Sequence, residues 1–406
     1  MLCLLLIFQA VVSFRSIPRI LAISNAFHSH QISWIPHFTS TINWSLRLGL
    51  SLLKQVTTIN APWIAIMDHS IDIGTKKAFV ILRVKLETLS KKEGAIQLSD
   101  CECIGLKISD VVNGKTVAQD IKEIFAKSGN PSVIIKDCDA TMNKGVRDYI
   151  TAESLIVPII DDLGHVFATV LKSQFEPSKG YTEFVNITTK GANKLRQTAY
   201  TFLTPPRLRN KGRFQSISKL GQWADKLLAQ IAIKGRSPKG SALEKIRKAF
   251  KGINTLKPFI IKFSKTLTIT SAMLKLLKNE GLNQKNYEAS LVMLSKLPAR
   301  SKVKKRLQLW LHDHLEIQKA LKTENLLISS DVIESLFGRF KHVIERSSHA
   351  DMNRTALLIP ALCGKINEEV INRAFTETQH SDLVEWESEN IKHTQRKNRI
   401  SFFKGP

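Results

Sequence analysis

The feature that most constrains this chain is where its strand-like runs fall. WIAIMD (63–68), AFVILRVKLE (78–87), CIGLKIS (103–109), SVIIKD (132–137) and SLIVPIID (154–161) are short, apolar and rich in β-branched residues, and no run of this kind follows about 165. SVIIKD is almost continuously apolar, the pattern of a parallel strand buried on both faces. A Gly-containing turn, DIGTKK (72–77), separates the first two runs as in a hairpin. VAQDIKEIFAKSG (117–129) has helical period and stops at Gly129, and NKGVRDYI (143–150) opens another helix. Strands interleaved with helices in this way predict an α/β protein with a mixed sheet.

Either side of that block the period is helical. In residues 1–60, SFRSIPRILAIS reads as a helix with Ser13 as N-cap. HQISWIPHF is a turn around Pro36, and TSTINWSLRLGLSLLKQ is a second helix capped by Thr39 or Ser40. Helix, turn and helix, with Asn43, Arg47 and Lys54 available on the second, have the layout of a DNA-reading module; a plain helical bundle has the same spacing. Between about 166 and 328, segments such as GQWADKLLAQIAIK and SKVKKRLQLWLHDHLEIQKAL are helical. The connections PPRLRNKGR (205–213) and IKGRSPKGS (233–241) are basic and punctuated by Gly and Pro. The expected organisation is a helical region 1–60, sheet segments 61–165, a helical block 166–328 and a last helical part 329–406 ending in a basic tail.

Charge narrows the function. The 406 residues contain 60 Lys and Arg against 35 Asp and Glu, a formal net charge of +25, which calls for a polyanionic partner. An anionic membrane would want a basic amphipathic helix or a polybasic run beside a span, and the cations here are scattered. The apolar start MLCLLLIFQAVVSF lacks a positive leader and is broken by Gln9. It reads as a buried helix, not a signal peptide or a span. Cys3, Cys101, Cys103, Cys138 and Cys363 are odd in number and lack zinc-site spacing, so they read as free thiols in a reducing cytoplasm.

Three carboxylates stand out by position. Asp68 closes WIAIMD and Asp137 closes SVIIKD, and the carboxyl ends of strands in an open sheet are where ligands bind. Glu334 lies in SSDVIESLFGRFKHVIE (329–345), where Ile333, Leu336, Phe337, Phe340, Val343 and Ile344 make an apolar helical stripe. Lys341, seven residues after Glu334, projects within about 20° of it. Hard oxygen ligands from two strands and a helix suit Mg²⁺, which keeps several waters, and suit two-metal phosphoryl transfer. Asp139 is the alternative to Asp137; Asp137 is preferred because it directly follows the apolar strand.

WIAIMDHSIDIGTKKAFVILRV, VIIKDCDATMNKGV and DVIESLFGRFK, in that order, resemble the first-Asp, second-Asp and Glu segments of the DDE transposases of bacterial insertion sequences. IPHFTSTINWSLRLGL is similar to the helix-turn-helix that precedes the core in related transposases, and VPIIDDLGHVFATVLK has a familiar D-x-x-H form in Asp162 and His165. The resemblance implies a ribonuclease H-like mixed sheet interrupted by a large α-helical insertion, since 196 residues separate Asp137 from Glu334. It implies Asp68, Asp137 and Glu334 as catalytic residues holding two Mg²⁺ ions, with Mn²⁺ able to substitute. Lys341, Arg47, Arg207, Arg209 and Arg213 would contact DNA, and Asp162 and His165 would support the site or a DNA end; a helix N-cap Asp with a partly buried His is the equal alternative for that pair. The implied activity is cleavage at transposon ends and strand transfer to target DNA. It would be carried out by a homodimer on double-stranded DNA in a bacterial cytoplasm, associated with the nucleoid. The short N-terminal region, starting inside a helix, is what a truncated copy would have. A catalytically inactive DNA-binding protein, or a nuclease without strand transfer, are the alternative readings.

Overall fold

The computed structural model describes residues 1–28, 32–69, 76–92, 94–207, 214, 217–344, 352–391 and 394–404. Most of the expected turn 72–77, together with Arg209 and Arg213, lies outside them. The chain divides into two units, Met1–Ile160 with Ser329–Pro406, and Asp161–Ile328.

The first unit opens with helices α1 (Leu2–Phe8), α2 (Ile17–Phe27) and α3 (Phe38–Lys54). The strands follow: β1 (Trp63–His69), β2 (Lys77–Lys85), β3 (Glu102–Ser109), β4 (Val133–Lys136) and β5 (Ile159–Asp161). Between them come α4 (Leu86–Ser90), α5 (Gly114–Ser128) and α6 (Ala140–Ala152). The protein is thus mixed α/β, with one five-stranded sheet in the order β3-β2-β1-β4-β5. β1 runs antiparallel to β2, and β2 to β3, with a register shift at Ile81/Leu82. β1 runs parallel to β4, in register from Ile64 beside Val133 to Met67 beside Lys136.

The apolar runs are continuous because both faces are covered. Ala65, Met67 and Ile134 pack with Val117, Ile121 and Ile124 of α5 and with Met142 and Val146 of α6. The alternate residues Ile64, Ile66, Val133 and Ile135 are buried as well, as strand alternation requires when the opposite face is also packed. Close approach on the first face needs Gly105, where a Cβ would stand 2.3 Å from Ile124 Cδ1. α5 stops at Gly129, whose φ of 78° suits glycine.

The unit ends with α14 (Asp331–Ile344), α15 (Leu358–Ala361), α16 (Glu368–Glu377), α17 (His380–Asn390) and α18 (Gln395–Lys404). α14 packs against β1, and α3 packs against β3, α15 and α16. Residues 1–60 are therefore part of the sheet's own unit, not a module apart. In α3, Thr41, Ser45, Leu46, Leu48, Gly49, Leu50 and Ser51 are all buried. At Gly49 a Cβ would fall 1.7 Å from the Leu357 carbonyl oxygen. The cap of α3 is His37, whose Nδ1 accepts from the Thr39 amide. The helix thus starts one residue before the segment expected to be capped by Thr39 or Ser40.

The second unit is helical: α7 (Leu163–Phe175), α8 (Lys179–Leu195), α9 (Ser218–Ile231), α10 (Ala242–Ala249), α11 (Lys257–Glu280), α12 (Gln284–Ser295) and α13 (Lys302–Ala320). Phe175, Tyr181, Phe184, Phe259 and Phe263 make its aromatic centre. Residues 161–328 carry 32 Lys and Arg against 11 Asp and Glu, whereas the rest of the chain carries 28 against 24. The excess positive charge is concentrated in this unit. Among the described residues no helix is long and apolar enough to cross a membrane.

Candidate functional site at the ends of β1 and β4

The parallel register of β1 and β4 advances pair by pair to Met67 beside Lys136. Asp68 and Asp137 each follow that last pair, Asp68 still within β1 and Asp137 just past the end of β4. Strand alternation puts Asp68 on the face opposite Met67, away from the α5–α6 side. From β1 the chain turns to β2 on one side, and from β4 to β5 on the other. The two aspartates stand where connections diverge, which is where an open sheet forms a ligand crevice. Both are half-buried. Asp68 Oδ1 accepts the His69 amide N–H at 2.7 Å, and Asp137 Oδ1 accepts that of Cys138.

Asp139 has other work. It N-caps α6, accepting the amides of Thr141 at 2.8 Å and Met142 at 3.3 Å, and it is exposed. A carboxylate held by two helix amides satisfies donors that the first turn would leave unpaired. This arrangement favours Asp137 as the carboxylate facing the crevice.

Two supporting residues escaped the sequence reading. Lys136 is 2% exposed, and its ammonium donates to Asn143 Oδ1 and, at 3.4 Å, to the Asp137 carbonyl. Asn143 in turn donates to the Cys138 carbonyl at 3.2 Å. Together they tie the loop carrying Asp137 to the first turns of α6. The available signal was a lysine inside an otherwise apolar strand. His69 stacks on Phe79 with ring centres 4.9 Å apart. Burial, aided by Lys77 and opposed by Asp139, lowers its pKa to about 4, so the imidazole is neutral at pH 7.

α14 buries Val332, Ile333, Leu336, Phe337 and Phe340 and leaves Glu334 exposed and Lys341 half-buried. At 100° per residue these two lie together on the flank of the buried stripe. The helix contacts β1, the strand that carries Asp68. Among the described residues, however, no three His, Cys, Asp or Glu side chains are gathered closely enough to hold a metal ion.

The remaining expected residues have structural partners or lie elsewhere. Arg47 donates from Nε to the Thr378 carbonyl at 2.6 Å and from Nη2 to that of Phe375 at 2.7 Å, and it lies over the Phe375 ring. It satisfies the last carbonyls of α16, a common use of arginine at a helix C-terminus, so its guanidinium is committed inside the unit. Asp162 is 1% exposed. It caps α7 by accepting the His165 amide at 2.9 Å, with the His165 ring Nδ1 at 3.0 Å. Arg207 is exposed.

No protein-family model matches the chain, and no curated protein sequence does. Among solved structures the chain is similar to the "Drosophila P element transposase strand transfer complex", with a TM-score of 0.42 and 11% sequence identity, over 86% of this chain and 96% of that one.

Proposed function

We propose that this chain is a DNA-processing enzyme of the DDE transposase kind, which cuts DNA strands by metal-dependent phosphoryl transfer and joins them to a target. The observation that supports the reading is the parallel register of β1 and β4, which runs to Met67 beside Lys136, so that Asp68 and Asp137 each follow the last paired residue of adjacent strands, with the Glu334 helix in contact with β1. The strand order and directions, three antiparallel strands followed by one parallel to β1, agree with the ribonuclease H-like core that the sequence resembles.

The donor set fits Mg²⁺ in kind. Two neighbouring carboxylates offer hard oxygens, and Mg²⁺ completes its shell with waters and substrate phosphates. Asp68 and Asp137 would hold the metal, with Glu334 drawn in from the exposed flank of α14. When bound, two such ions supply charge stabilisation to the attacking and leaving oxygens. The chain's own contributions are positional. The Lys136–Asn143 link fixes the Asp137 loop. Lys341 places a point charge beside Glu334 for a DNA phosphate. The basic second unit would hold the backbone.

A second reading, a DNA-binding protein without catalysis, is favoured by the exposure of Glu334 and by the lack of a three-acid cluster among the described residues. Incubating the chain with DNA that carries the sequences flanking its gene, with and without Mg²⁺, separates the two. Strand cleavage that needs Mg²⁺ supports the enzyme; tight binding with no cleavage at any divalent ion concentration supports the binding protein.

A further inference from the structure

α17 is the acidic element of a basic chain. It carries Asp382, Glu385, Glu387 and Glu389 and no Lys or Arg. α18, which begins five residues after α17 ends, carries Arg396, Lys397, Arg399 and Lys404 and no acid. From Lys397 to Lys404 every residue of α18 is exposed, including Phe402 at 80% and Phe403 at 75%. Their rings meet edge to face, 5.4 Å between centres. A ten-residue helix is marginal in water without packing, and adjacent exposed aromatics on it mark a contact surface.

A cleft of about 860 Å³ lies alongside α17. Leu53, Ile104, Leu106 and Trp386 give it an apolar floor, and Glu385 and Glu389 stand on its rim. Two other rim acids are already neutralised, Asp382 by Lys54 at 3.3 Å and Glu123 by Lys107. No ion pair engages Glu385 or Glu389 among the described residues. One wall of the cleft is β3, an outer strand of the sheet, and sheet edges are normally covered.

We propose that this cleft receives α18 of a second copy of the chain, with the Phe402–Phe403 pair on the apolar floor and the cations of α18 against Glu385 and Glu389. Glu385 and Glu389 outnumber the one lining cation outside those two ion pairs, Lys127, and complement Lys397 and Arg399, and the chain's own α18 is exposed from Lys397 to Lys404. A reciprocal exchange fills both clefts and covers both helices in one two-fold pair, the commonest symmetry of homo-oligomers. The inference does not depend on the catalytic reading.

Sedimentation velocity of the full chain, freed of nucleic acid by nuclease and high salt, tests it across a range of concentrations. A monomer–dimer equilibrium is expected. It should weaken at least tenfold in the Phe402→Asp/Phe403→Asp variant and in Glu385→Lys/Glu389→Lys. Adding Lys397→Glu/Arg399→Glu to the second variant should restore it. Circular dichroism checks that each variant is folded. A chain that stays monomeric at every concentration overturns the proposal, as does a dimer indifferent to all of these changes. Association that disappears once nucleic acid is removed overturns it too.

Discussion

At the residue scale, two half-buried titrating groups push stability in opposite directions. His69 has its pKa lowered to about 4, chiefly by burial. The unfolded chain therefore takes up a proton first as pH falls. Its contribution is complete above pH 6.5 and is lost between about 6.5 and 4. Asp120 on α5 has its pKa raised to about 6, again chiefly by burial, against the attraction of Lys107. Its contribution is complete below about 3.8 and is lost as pH rises through 6. Between pH 4 and 6 the two offset one another. Asp120→Asn should leave the His69 dependence alone, so that stability falls on going from pH 7 to 5, by on the order of 1–2 kcal/mol. His69→Gln should reverse the slope. Urea midpoints at the two pH values measure both, and parallel profiles for the two variants would refute the assignment. Asp68, Asp137 and Glu334 could be singled out in the sequence because strand ends and helical period are local signals. The roles of Arg47 and Lys136 were not legible. Arg47 is fixed by carbonyls more than 300 residues away, and Lys136 by a side chain on the following helix.

At the element scale, β1, β2 and β4 were readable because a strand covered on both faces must be apolar throughout, whereas the run expected at 154–161 is strand only over Ile159–Asp161, with Ile156 fully exposed. In α3, of the residues read as DNA-facing, Arg47 is engaged by the Thr378 and Phe375 carbonyls, Asn43 is half-buried and Lys54 pairs with Asp382 at 3.3 Å. Two glycines separate packing from propensity. Gly49→Ala would drive a methyl group into the Leu357 backbone, which cannot move as a side-chain tip can. A loss of about 3 kcal/mol or more is expected. Gly338 in α14 has nothing within 4 Å of its Cβ position, so Gly338→Ala should stabilise by about 0.5–1 kcal/mol. Chemical denaturation gives both values. A neutral Gly49→Ala would mean that α3 is not packed as described.

At the scale of the whole molecule, the charge is segregated. With 32 cations against 11 acids in 161–328 and near balance elsewhere, phosphate binding should belong mainly to the second unit. DNA affinity should fall linearly on a log–log plot against salt, with a slope of about −0.9 per phosphate neutralised. Replacing Arg207, Lys302 and Lys305 by Ala should reduce that slope by about 2–3 and leave the single-turnover rate on saturated DNA unchanged. Lys341→Ala should do the reverse, costing rate more than affinity, since misplacement by about 1 Å can cost on the order of a hundredfold. The segregation was hidden in the sequence because no single run of cations is long. The excess emerges only when the unit's boundaries are known.

In the proposed enzyme Asp68 and Asp137 would form the catalytic pair, with Asp139 serving to start α6. The most direct measurement is the Mg²⁺-dependent cleavage rate of Asp137→Asn and Asp139→Asn side by side. Asparagine is as good an N-cap as aspartate, so Asp139→Asn should keep its fold and a rate within a few-fold of the parent. Asp137→Asn should bind DNA normally and lose cleavage by about a thousandfold or more, an effect worth roughly 4 kcal/mol of barrier. An active Asp137→Asn beside an inactive, folded Asp139→Asn would contradict the account.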